Sequence, residues 1–98
     1  MELSRAWDIL QDGYAGYDPP FAQEVADAFG VTEPVPTFRT DGNEGGKGWG
    51  GPAGTVTCGF DLARHIANHR NVTYDQPFIG RGSNHREVLA ALKPLVEV

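Results

Sequence analysis

The chain has a single cysteine, Cys58, so no internal disulfide can staple it. A fold without disulfides suits a reducing compartment better than an oxidising one. It also has no uninterrupted apolar run near the roughly 20 residues that a membrane-spanning helix needs. Met1 is followed by Glu2 and not by a basic segment, so a secretory leader is not indicated. The expectation is a soluble, unexported, cytoplasmic protein. Positive charge is scarce as well: 8 Lys and Arg stand against 13 Asp and Glu, a net charge of −5 and a pI near 4.9. A chain of that sign is repelled at long range by nucleic acid and by anionic membranes, and attracted by basic protein surfaces.

What the chain has in plenty is glycine, and it is concentrated. Gly42, Gly45, Gly46, Gly48, Gly50, Gly51 and Gly54 fall in one stretch of a chain with 13 glycines. Ordering glycine carries the largest backbone entropy cost, so residues 42–54 predict neither helix nor regular strand. The stretch divides the charge. Met1 to Gly45 holds nine acids and two bases, a sum of −7, whereas Gly46 to Val98 holds four acids and six bases, a sum of +2. With 98 residues, 40% of them apolar, the chain predicts one domain with a modest core.

Leu3, Ala6, Trp7 and Leu10 recur at i, i+3, i+4 and i+7, which predicts a first helix ended by Asp12 and Gly13. Asp18 as N-cap and Pro19 at the first helical position open a second. Its Phe21, Val25, Ala28 and Phe29 share a face, and Gly30 is its stop. Val35 to Thr40 is β-branched and aromatic but interrupted by Pro36, an edge strand at best. Beyond the glycine stretch the pattern reads as a strand over 55–58, a helix over 61–70, a strand over 72–79 and a helix over 84–93 that Pro94 terminates. The fold class expected is therefore α+β, a small α/β domain with two N-terminal helices, a Gly-rich loop and a β-α-β-α unit on a small sheet. In that order the two strands would pair parallel.

Three groups of residues bear on chemistry. Arg81, Gly82, Ser83, His85 and Arg86 surround a predicted strand-to-helix turn. Free amides, the positive end of a helix dipole and guanidinium groups can there bind an anion or phosphate. The plainer reading is that Ser83 or Asn84 caps the helix, with Glu87 completing a capping box. Asp61, His65 and His69 are spaced four apart on one helix, with Cys58 just before it. Two histidines at i and i+4 can share a metal, but the second tight ligand pair of a zinc site is missing, so no metal and no cofactor are expected. Asp61 then serves as N-cap and Arg64, His65, Asn68 and His69 as a solvated face. Cys58 before a helix start would have its thiolate favoured, yet a lone cysteine also serves as a small core residue.

The acids of the first half form the third group. Asp12, Asp18, Glu24 and Asp27, with Tyr14, Tyr17 and Trp49 as aromatic anchors, can present an electronegative face to a basic partner. A charge excess on solvated helices also serves plain solubility.

Two fragments resemble known families. Gly42-Asn43-Glu44-Gly45-Gly46-Lys47-Gly48 resembles the glycine loop of the NAD(P)HX epimerase family, and Ala63 to Asn68 resembles the helix that follows it there. Lys47 stands where that family has an aspartate, and Trp49 to Phe60 intervene where its loop runs straight into the helix, so no site residue carries over. Val25 to Phe38 is similar to the segment around the buried proline of thioredoxin-like proteins, here without a preceding Cys-x-x-Cys.

The reading these residues support is a small acidic non-enzymatic interaction module of inhibitor, immunity or adaptor type. It would bind a basic protein surface, such as that of a nucleic-acid-handling machine, with no direct contact to nucleic acid or membrane. The alternative is a phosphate- or nucleotide-binding domain, enzymatic or not, built on Gly80 to Arg86.

Overall fold

The computed structural model describes residues 1–13, 19–36, 56, 58–74 and 85–97. Four helices account for most of them: α1 (Leu3–Leu10), α2 (Pro19–Ala28), α3 (Gly59–His69) and α4 (His85–Val96). In α1 the apolar stripe turns Ala6 and Leu10 fully inward, and Leu3, Trp7 and Ile9 pack at the margin of the core. Its end is closed by the Gln11 and Asp12 amides, which donate to the carbonyls of Trp7 and Ile9.

Helices α2 and α3 stop by the same device. After α2, Gly30 takes a positive φ of 84°, its amide donates to Asp27 and the Val31 amide reaches back to Ala26. After α3, Asn71 takes a φ of 56°, its amide donates to Asn68 and the Val72 amide to Ala67. Each is a Schellman closure, in which a left-handed residue turns the chain and the next apolar residue folds onto the helix it has just left. Val31 is buried and Val72 packs against the core. The two closures are tied together, because the Arg70 guanidinium donates to the Phe29 carbonyl at the negative end of α2.

α1 and α3 lie in the middle, each packed on the other three helices, with α2 and α4 on the flanks. The core runs through Leu10, Val25, Val31, Leu62, Ile66, Val88 and Leu92, all less than 2% exposed. Burying a side chain of that size stabilises by about 1.5–3 kcal/mol, so this shared cluster is the main source of cohesion. α1 and α3 approach closely at one end. A Cβ on Gly13 would lie 1.9 Å from the Phe60 ring, and one on Gly59 would lie 2.3 Å from the Asp12 carbonyl oxygen, so glycine is what the present packing accepts at both places.

The α+β expectation is overturned: among the described residues the protein is all-helical, with no strand and no sheet. Of the strand expected over 55–58, Val56 makes a single bridge, its amide donating to the Pro36 carbonyl, and Cys58 is already the N-cap of α3. Of the strand over 72–79, Val72 to Tyr74 is irregular, and the Val72 amide is consumed by the α3 closure instead of a ladder. Val35 and Pro36 are likewise irregular, and the remaining residues of these segments, with the glycine stretch 42–54, lie outside the described residues. Two boundaries shift as well. Asp61 sits inside the first turn of α3 and does not cap it. Pro94 lies within α4, which continues to Val96. The bond that Pro94 cannot donate would have gone to the Ala90 carbonyl, and both residues are exposed.

Candidate functional site

The acids of the first half stand where a surface would need them. Glu2, Asp8, Asp12, Glu24, Asp27 and Glu33, every acid described between residues 1 and 36, are all exposed. Arg5 is the one base described there, and it is exposed as well. The cause is helical: with the apolar stripes of α1 and α2 turned into the core, Asp8 on α1 and Glu24 and Asp27 on α2 are left on the outer faces. Tyr14, Tyr17, Asp18 and Trp49, the other residues expected on this face, lie outside the described residues.

One feature of α2 went unread in the sequence. Gln23 spends its whole amide on cross-links: Nε2 donates to Asp27 at 3.0 Å and to the Glu33 carbonyl at 3.2 Å, and Oε1 accepts from the Val35 amide at 2.9 Å. The segment 33–35 is thereby pinned along α2. No periodicity or motif marks a glutamine for that role.

Of the residues expected around an anion, Arg81, Gly82 and Ser83 lie outside the described residues. Arg86 is exposed on the first turn of α4. His85 is half-buried, its ring meeting Phe60 edge-on with centroids 4.8 Å apart. Both ring nitrogens are shielded from water and neither has a hydrogen-bond partner. Burial pushes its pKa below the ordinary histidine range. The carbonyls of Gln11 and Leu10 oppose this, near enough to favour the charged form but not in hydrogen-bonding geometry; Arg64 pushes the same way as burial, and Asp12 against it.

Along α3, Asp61 pairs with Arg64 at 3.0 Å. His65 is half-buried and stacks on His69 with ring centroids 4.3 Å apart at a tilt of 51°. His69 in turn places Nδ1 3.5 Å from the Glu33 carboxylate, across from the segment that Gln23 pins. The Nε2 of His65 is buried without a partner. Burial lowers the pKa of His65, the neighbouring His69 lowers it further, and Glu33 pulls it the other way. The face expected to be wholly solvated is therefore half-buried at Arg64 and His65, with His65 Nε2 shielded from water, while Asn68 and His69 are exposed.

Cys58 is a free, buried thiol, placed as a small core residue would be. Among the described residues no three His, Cys, Asp or Glu side chains come together to hold a metal, and no helix is long and apolar enough to cross a membrane. An open groove of about 390 Å³ runs between Thr73 and Tyr74 on one side and Glu87, Ala90 and Ala91 of α4 on the other. No family model matches the chain, and neither a curated protein nor a solved structure matches it.

Proposed function

We propose that the protein is an interaction module whose acidic first half docks on the basic surface of a partner protein. The observation that supports this reading is the exposure of all six acids described between residues 1 and 36, against one base. Exposed charges of one sign act at long range, where they speed encounter with a surface of opposite sign and reject surfaces of their own. Two helices whose apolar stripes are spent on the core leave charge, and not greasy area, as the recognition chemistry of this half.

The test is affinity capture with three forms of the chain: wild type, the double reversal Glu24→Lys and Asp27→Lys, and Arg86→Glu. A partner with a basic surface should be held by wild type and by Arg86→Glu. It should be lost on the double reversal and lost progressively as salt rises toward 0.5 M, where the screening length falls to about 4 Å. Capture abolished by Arg86→Glu and untouched by the double reversal would overturn the reading and move the binding chemistry to the start of α4.

A further inference from the structure

We propose that His65, His69 and Glu33 form an acid-sensitive latch that holds the segment after α2 against α3 and loosens when His65 takes up a proton. The geometry has three parts. Glu33 faces the exposed His69 at 3.5 Å, so the two side chains bridge the segment after α2 and α3. His69 lies on His65 with ring centroids 4.3 Å apart, so the two rings cannot both be charged without repulsion. The buried Nε2 of His65 has no acceptor to receive a proton's hydrogen bond. A proton on Nε2 of His65 is therefore without a partner and any charge on His69 repels it, so the arrangement that seats the ring is the one that must give way.

The charged groups acting on His65 are His69 on its own helix and Glu33 on the segment after α2, with no contribution from α1 or α4 among the described residues. The nearby Arg64 is engaged with Asp61. The direction of the pH effect follows from linkage. The folded state holds the pKa of His65 below the unfolded value of about 6.5. The unfolded or locally opened chain then binds more protons in the window between the two values, so the latch is closed above about pH 6.5 and loses stability as the pH falls from there. Below the folded value the loss is complete. This inference does not depend on what the acidic face binds, since its readouts are intramolecular.

Ring proton shifts of His65 followed against pH by NMR, together with amide-exchange protection of Val35 and Val72, test it in the whole chain. His65 should titrate below the ordinary histidine value. Its midpoint should rise in His69→Gln, which removes the repelling ring, and fall in Glu33→Gln, which removes the attracting carboxylate. Both altered residues are exposed, so neither variant endangers the fold. Protection at Val35 and Val72 should drop between pH 7 and pH 5 in wild type and hold steady in His65→Phe, which keeps a ring without a titrating nitrogen. A His65 midpoint at or above 6.5, a midpoint unmoved by either neighbour's substitution, or an equal loss of protection in His65→Phe would overturn the proposal.

Discussion

Gly59→Ala is the substitution on which local propensity and tertiary geometry disagree in sign. Gly59 is the first residue of α3, and alanine in place of glycine favours a helix by up to about 1 kcal/mol. The fold says otherwise. A Cβ at this position would lie 2.3 Å from the Asp12 carbonyl oxygen, 3.2 Å from its carbonyl carbon and 3.1 Å from the Gly13 Cα. All three atoms are backbone, so no side chain can swing aside, and the end of α1 must retreat by roughly 1 Å to restore ordinary contact. That retreat stretches the bond from the Phe60 amide to the Gly13 carbonyl, already 3.3 Å long and worth about 0.5–1.5 kcal/mol. It also opens the packing of α1 on α3, and overpacking of this kind costs about 1–3 kcal/mol.

The net expectation is a loss of about 1–3 kcal/mol, a fall in Tm of about 5–20 °C for a chain of this size. Urea unfolding followed by far-UV circular dichroism measures it, with the m-value unchanged if the native state stays compact. Gly13→Ala supplies the control, because its Cβ would strike the Phe60 ring at 1.9 Å, a side chain that can be trimmed. Adding Phe60→Leu should recover part of the loss in Gly13→Ala and none in Gly59→Ala. A Gly59→Ala protein as stable as wild type, or more stable, would refute the reasoning.

Two further outcomes follow from single residues. Gln23→Ala strands the part-buried Val35 amide and frees the segment 33–35, so it should cost about 1–3 kcal/mol in the same unfolding assay and expose Val35 to faster amide exchange. Asn71→Val should cost about 1–2 kcal/mol because Asn71 holds a φ of 56°, where a β-branched residue is strained, whereas Asn71→Gly should be neutral or slightly stabilising.

The helices were legible because their burial has a period. Leu62, Ala63, Ile66 and Ala67 fall at helical spacing and are all fully buried in α3, and of Val88, Leu89 and Leu92, which share a face of α4, Val88 and Leu92 are fully buried and Leu89 packs at the margin. The strands were misread for a related reason. Strand propensity mostly records a side chain that fits a half-buried surface, and a β-branched residue in a turn can satisfy that equally well. Val31 and Val72 are such residues: each follows a left-handed closure and folds back on the helix just ended, its amide already committed to a helix carbonyl. Val72-Thr73-Tyr74 therefore alternates as a strand would, with Val72 and Tyr74 on the core, yet the Val72 N–H already donates to Ala67 and is not free for a ladder. A sequence pattern reports which side chains go inward, and says nothing of where the amide between them is spent.

The candidate site divides along the same line. That the acids face solvent could be read from composition and helical period, because an apolar stripe fixes the polar face opposite it. The histidine cluster could be read only in half. The spacing of His65 and His69 places both on one side of α3, but whether that side meets water or another segment depends on residues 33–35, and Gln23 holds these in place through contacts 10 and 12 residues apart. The Glu33 that His69 meets is thus set in place by an α2 glutamine. The histidine pair comprises one exposed histidine and one half-buried histidine whose Nε2 is shielded from water. Burial makes a proton on His65 costly, and the acid response proposed for the pair rests on that cost.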